Sequence, residues 1–331
     1  MDLSTTYLGL RLAHPFMMGA SPLAWTLDGV RRVEDGGAAA IVLPSLFEEQ
    51  VTMAGSGTIH HMDPLDPQFA DTLAGFPSSE AYVFGPDEYL EHLRRAKESV
   101  GVPIIASLNG TTSESWLKFA GQMTSAGADA LELNMYRIAA DPDSSSLAIE
   151  TELRDLVVDL KRSLTIPLAV KLSPYFTAFG NFCRRLTSAG ADGLVLFNRF
   201  YQADIDVAGL TAVPRLELST SAELRLRLQW VAILHDRIQA SLAITGGVAM
   251  PVDGVKAVLA GADAVQLVSA ILRHGPAYFR VMQNGLVRWM DAKAMMTLSE
   301  VRGRVSVARG LNPERVSRAN YIRTLQSWSE S

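Results

Sequence analysis

Polar side chains close one short apolar run after another along this chain. Ser21 ends PFMMGAS, Ser45 ends IVLPS, Ser107 and Asn109 close IIASLNG, and Glu132 and Asn134 close LELN. Lys171 and Ser173 sit in LAVKLS, Asn198 and Arg199 follow LVLF, Thr245, Gly246 and Gly247 end AITGG, and Ser269 ends VQLVS. Hydroxyls, amides, a carboxylate and an ammonium gathered in this way make a surface for a small polar ligand. Lys171 stands out, because an ammonium inside an apolar run is costly to bury unless an anion or an acceptor meets it. It is expected to serve the chemistry, and the alternative is a structural ion pair with Glu132. ITGGV and LVSAILRHG together read as a phosphate site. The two glycines let main-chain amides approach an anion, and LVSAILRHG reads as a strand ending with Val268, Ser269 and Ala270 and then a short helix, whose N-terminal amides offer further donors. A phosphorylated ligand, cofactor or substrate, is expected there.

The elements that carry these residues are announced by a repeated joint. Gly37-Ala38-Ala39-Ala40, Gly127-Ala128-Asp129-Ala130, Gly190-Ala191-Asp192-Gly193 and Gly261-Ala262-Asp263-Ala264 each follow a helical stretch and precede an apolar run. A glycine that stops a helix two or three residues before a buried strand is the joint of a parallel α/β sheet. Counting the runs gives eight strands, separated by helical segments such as PDEYLEHLRRAKESV, ESWLKFAGQMTSAG, ELRDLVVDLKRSL and VDGVKAVLAG. This predicts an α/β fold of the (β/α)8 type, a TIM barrel, with an open doubly wound sheet as the alternative. In either case the chemistry collects at the carboxyl ends of the strands. Residues 46–85 and 199–222 are too long for ordinary connections and are expected as loop insertions after strands two and six, covering the catalytic face. Residues 296–331 read as a helical tail.

Composition agrees with one barrel domain over residues 1–331. The chain is 48% hydrophobic and 20% charged, with a formal net charge of -5, which gives no electrostatic case for nucleic acid. No apolar stretch reads as a membrane span, so a cytoplasmic protein is expected. Cys183, the single cysteine, excludes an intrachain disulfide and a Cys-ligated cluster, and reads as a small buried side chain on an outer helix. His60 and His61 read as a solvated loop, and no metal is expected.

In order, PFMMGAS, ASLNG, ALELN, AVKLSPYF, LVLFN, ITGGV with the downstream Asp253, and AGADAVQLVSAILRHGPAYF resemble the dihydroorotate dehydrogenase family of FMN-binding barrels, from about residue 3 to 282. SLFEEQ, LELNMY and LFNRFYQADID are similar in particular to its uncharacterised dihydroorotate dehydrogenase-like branch. The resemblance implies FMN across the strand ends, its phosphate on Gly246, Gly247, Ser269 and Ala270, and its ring supported by Ala20 and Ser21. It implies Lys171 beside the N1 and O2 edge of the flavin ring, where a fixed positive charge stabilises reduced flavin. Asn134 and Asn198 match asparagines that hydrogen-bond the amide and carboxylate groups of the pyrimidine, with Ser107 and Asn109 lining the same cavity.

Two departures bear on the chemistry. Where soluble members of the family carry a cysteine base, this chain has Arg137, and arginine cannot abstract a proton. Pro44 stands where their second-strand lysine does. The reading is therefore an FMN-dependent oxidoreductase acting on CH–CH bonds, moving hydride between flavin and a small pyrimidine-like or carboxylated substrate, with the usual Cys or Ser base absent. Tyr136 is the candidate acid or base, and a phenol suits an acid better than a base near neutral pH. Tyr201 and Ser173 are fallbacks, and Arg199 and Arg137 would meet a substrate carboxylate. Electrons would leave to a soluble acceptor or a partner redox subunit, and the protein is expected to be a homodimer in pyrimidine metabolism. A flavin-free phosphate-binding lyase or isomerase, with Lys171 as base or Schiff-base former, and a non-catalytic family member remain as alternatives.

Overall fold

The computed structural model describes residues 1–47, 50, 85–110, 114–199, 202–213, 216–307 and 311–327. Its first element is an antiparallel hairpin of β1 (Thr5–Tyr7) and β2 (Leu10–Leu12). The parallel strands then follow: β3 (Phe16–Met18), β4 (Ile41–Val42), β5 (Leu46–Phe47), β6 (Ile104–Asn109), β7 (Ala130–Asn134), β8 (Leu168–Leu172) and β9 (Gly193–Leu196). After a second hairpin, β10 (Asp204–Asp206) and β11 (Thr211–Val213), the sheet resumes with β12 (Ser241–Thr245) and β13 (Ala264–Leu267). Strand β13 pairs with β3, β3 with β4, and both β4 and β5 with β6, so the sheet closes. Because β4 and β5 share one barrel position, this is a closed eight-position (β/α)8 barrel; the open doubly wound sheet is ruled out.

Helices surround it: α1 (Leu27–Asp35), α2 (Pro86–Ser99), α3 (Glu114–Ser125), α4 (Ser146–Ser163), α5 (Phe179–Ser188), α6 (Leu224–Leu234), α7 (Pro251–Ala260), α8 (Ser269–His274) and α9 (Tyr278–Ala292). The joint glycines take the left-handed conformation, with φ of 100°, 96°, 113° and 120° at Gly37, Gly127, Gly190 and Gly261. The aspartate of the repeat has a job that the glycine reading missed. Asp129 accepts the Ile104 N–H through Oδ2 at 2.7 Å while its own N–H donates to Ile104 O at 2.9 Å. Asp192 with Leu168, and Asp263 with Leu242, repeat the pair. Each aspartate thus ties the new strand to the start of its neighbour. The first joint has Ala39 instead, and there His14 Nδ1 accepts the Phe16 N–H at 3.2 Å.

Alternation along the strands sorts the core. Leu131, Leu133, Leu168, Val170, Leu172, Leu194 and Leu196 pack outward under the helices. The residues between them point into the barrel, and at the strand starts they are small: Ala130, Ala169, Gly193, Ala243 and Ala264. The first hairpin uses that room. Tyr7 and Leu8 plug this end of the barrel, and a Cβ on Gly193 would lie 2.5 Å from Leu8 Cδ2.

Cys183 is buried on α5, and burial pushes its thiol pKa well up. His60, His61 and most of the 46–85 insertion lie outside the described residues, as does Tyr201. Of the 199–222 insertion, the described part is a two-stranded ribbon followed by a 3-10 turn at Ser221–Glu223, more structured than a plain loop. The tail contains α10 (Leu298–Val301), packed on the barrel, and α11 (Pro313–Gln326), which buries no residue. No described helix is long and apolar enough to cross a membrane.

Candidate active site

Reading each strand by twos from its first inward residue leads up to a polar layer. From Ala130 the interior positions are Glu132 and Asn134; from Ala169, Lys171 and Ser173; from Ile105, Ser107 and Asn109; from Ala264, Gln266. Register sets Glu132 beside Ser107 and Asn134 beside both Asn109 and Lys171. Lys171 Nζ donates to Glu132 Oε1 at 3.2 Å, and the other carboxylate oxygen takes a short hydrogen bond from Gln266 Nε2. Glu132 is fully buried and Lys171 nearly so. The ion pair weighed from sequence therefore exists.

Asn134 is held more tightly than its type alone suggests. Its Nδ2 donates to Ser107 Oγ at 2.9 Å, Leu108 O at 3.1 Å and Ser45 Oγ at 3.2 Å, and the two serine hydroxyls bond each other at 2.8 Å. Because a main-chain carbonyl only accepts, the nitrogen must face Leu108, and Oδ1 faces the other way as a free acceptor among the described residues. Tyr89 braces the neighbouring strand β6, its hydroxyl accepting the Ser107 N–H at 2.9 Å. Burial raises the Tyr89 pKa, so it remains a neutral bracket. Ser45 was legible only as one polar strand end among several, with no individual role, while Tyr89 lies on a helix and left no signal.

At the end of β12, Gly246 and Gly247 have φ of 79° and 80°. A Cβ on Gly247 would lie 2.6 Å from Leu224 N, so the second glycine is required by packing against the start of α6. Its N–H donates to Ser219 Oγ at 3.1 Å, and Ser219 also bonds Ser269 Oγ through both its N–H and its hydroxyl at 3.0 Å. Arg273 holds this loop by donating to Ser219 O and Leu218 O. Asp253 accepts from Ser221 Oγ, Ala249 N and Met250 N, tying the loop to the start of α7. Ser219 and Arg273 were not legible in sequence, since neither closes a strand.

The remaining candidates lie around the mouth. Arg137 pairs with Glu152 on α4 and, with Met135, Ser173, Tyr175 and Phe176, lines a cavity of about 450 Å³. Ser173 Oγ accepts the Tyr175 N–H at 3.3 Å. Asn198 and Arg199 line a second cavity of about 610 Å³, whose wall also includes Tyr175. Tyr136 is half-buried, next to Asn134, and lines neither of these cavities. Ala20 is half-buried at the end of β3, and Ser21 is buried and caps the 3-10 turn Pro22–Ala24, its Oγ accepting Leu23 N.

The family model described as dihydroorotate dehydrogenase matches residues 75–290. The chain belongs to the dihydroorotate dehydrogenase family. It is 26% identical to the catalytic subunit of dihydroorotate dehydrogenase B (NAD(+)) of Thermoplasma acidophilum, over 91% of this chain and 98% of that protein. The counterpart of Methanocella arvoryzae is 29% identical over 89% and 95%. A subunit of the NAD-dependent dihydropyrimidine dehydrogenase of Escherichia coli, PreA, is 24% identical over 91% of this chain and 76% of its own length.

The dihydroorotate dehydrogenase family uses flavin, and the residues here can be tested for fit. The Gly246–Gly247 turn, the Ser219 and Ser269 hydroxyls that its second amide leads into, and the start of α8 meet at one place, with Arg273 behind them. That set suits a phosphate. The polar layer adds a cation at Lys171 and a fixed acceptor at Asn134 Oδ1. The donor chemistry fits a flavin nucleotide.

Proposed function

We propose that this protein is an FMN-dependent oxidoreductase acting on a CH–CH bond of a small pyrimidine-like or carboxylated substrate, and that residues 1–331 form one FMN-binding barrel domain. The observation that carries the reading is the polar layer of Lys171, Glu132 and Asn134 standing beside the donor-rich ends of β12 and β13, in a chain of this family. When bound, FMN supplies two-electron chemistry at its ring. Gly246, Gly247, Ser219, Ser269 and Ala270 hold its phosphate, and Ala20 and Ser21 support its ring. Lys171 places positive charge at the ring edge where negative charge accumulates on reduction, and Glu132 and Gln266 fix the height of that charge. Asn134 accepts an N–H through Oδ1, while Ser107 serves by holding Asn134. Asn109, Asn198 and Arg199 orient the substrate.

The proton step falls to Tyr136, with Ser173 as its alternate. Arg137 is turned to Glu152 and works by charge, not by proton transfer. This favours reduction of an activated double bond over oxidation of dihydroorotate. A Schiff-base role for Lys171 is less well supported, because an amine tied to a buried carboxylate is not presented to a substrate carbonyl. Electrons reach or leave the site through a soluble acceptor or a partner redox subunit, and we place the protein in the cytoplasm as a homodimer.

The test is direct. Protein purified in the dark is denatured, the released cofactor is identified by mass, and the holoprotein is mixed anaerobically with dihydropyrimidines or, after photoreduction, with pyrimidines. Recovery of FMN and its reduction or reoxidation by one of these compounds is the expected result. A colourless protein that binds no added FMN would sink the proposal.

A further inference from the structure

Arg227 is an arginine whose surroundings call for an anion. It is buried on α6, where its Nε donates to Thr245 O at 2.6 Å and its Nη1 to Glu223 O at 2.7 Å. Two main-chain carbonyls fix the plane of the guanidinium. Its Nη2 takes no hydrogen bond among the described residues and lies over Gly246, where an added Cβ would stand 2.9 Å away. Gly246 therefore makes room for the cation as well as for the turn.

Arg227 lines the cavity of about 610 Å³ together with Asn198, Arg199, Arg225, Glu217 and Glu223. Glu223 does not neutralise it at close range: its carboxylate oxygen is directed to Thr220 N at 3.2 Å and to Arg199 at 4.0 Å. The Nη2 edge of Arg227 opens to the cavity, so a guanidinium already oriented by two main-chain carbonyls is presented to whatever ligand enters there. Three arginines against two glutamates leave the wall with one net positive charge, which matches a single carboxylate better than a phosphate dianion. The volume falls in the range of small-molecule sites, and a planar guanidinium suits a planar carboxylate.

We infer that this cavity is the anchor for a carboxylate of the substrate, with Arg227 as its fixed donor and Arg199 and Arg225 as its outer cations. The inference rests on the small-substrate reading above and gives that substrate a charged end, held next to Gly246 at the end of β12.

Calorimetric titration of the protein as purified with orotate and uracil tests it, because the two share the pyrimidinedione ring and differ by one carboxylate. Orotate is expected to bind tighter by about tenfold or more. Arg199→Gln and Arg225→Gln, at exposed positions that leave the main-chain bonds of Arg227 intact, are expected to narrow that gap, and Arg227→Leu to close it. Should Arg227→Leu fail to fold, the two exposed variants carry the test. Equal binding of the two compounds, binding of neither, a gap that survives both exposed variants, or tighter binding of inorganic phosphate than of orotate would each overturn the assignment. A protein that keeps its flavin while showing no carboxylate preference would refute this anchor and leave the oxidoreductase reading standing. A flavin-free protein that still prefers orotate would do the reverse.

Discussion

Lys171 Nζ lies 3.2 Å from Glu132 Oε1 inside the barrel, and the two are buried together. Removing the lysine alone strands a carboxylate, a loss of about 3–5 kcal/mol for a buried pair broken on one side. Lys171→Met is therefore expected to lower the thermal midpoint and, with FMN bound, also to lower the flavin potential. The double variant Lys171→Met with Glu132→Gln is expected to recover much of the stability and, by removing the stranded negative charge, only part of the potential. Calorimetry and redox titration on the same two proteins check it, and a potential unchanged in both would make the pair purely structural.

Dihydroorotate is expected to leave the flavin oxidised on the enzymatic timescale, because Arg137 stands where a base is needed and is paired to Glu152. Anaerobic stopped-flow mixing decides this. Bleaching at roughly 1 to 10³ per second would show that Tyr136, Ser173 or another group has taken the base role.

Gly247→Val is expected to destabilise the fold along with any loss of flavin, since its Cβ would meet the main chain of Leu224 at 2.6 Å and its φ is 80°. Ser219→Ala is the cleaner probe of the phosphate pocket. It removes one hydroxyl from Gly247 N and Ser269 Oγ, at a cost of about 1 kcal/mol in stability, and should weaken FMN retention. Fluorescence of released flavin after dilution measures it.

His14 gives the fold a pH dependence. Burial lowers its pKa from 6.5 to about 4, a hydrogen bond with the Gly37 main chain opposing the shift, and its Nδ1 must stay unprotonated to accept the Phe16 N–H. The unfolded chain takes up the proton first, so stability is full above about pH 6.5 and falls as pH drops toward 4, by about 3 kcal/mol in all. His14→Asn should flatten that part of the profile. Denaturant midpoints between pH 4 and 7 check it.

The eight strand positions and the glycine joints were legible because each is local: a period of two, and a helix stop that left-handed backbone must supply. Lys171, Asn134 and Ser107 were legible as polar residues in apolar runs. Ser219, Arg273 and Arg227 were not, because their roles arise when a connecting segment and a helix fold back over strand ends far away in sequence. The first hairpin was missed for a related reason. TTYLGLRL carries no sign of its destination until Ala130, Ala169, Gly193 and Ala264 are seen to be small on the inside of the same ring.

That ring of small residues and the Tyr7–Leu8 plug are two halves of one volume. Neither half can change size alone: a valine at Ala130 or Ala169 must displace the plug, and a glycine at Tyr7 must leave a void. The paired change, smaller at position 7 and larger on a strand start, is the substitution the barrel floor can absorb. Size at these positions should therefore be inherited as a sum, so that a relative with a slighter hairpin carries bulkier strand starts, and a designer who enlarges one must shrink the other.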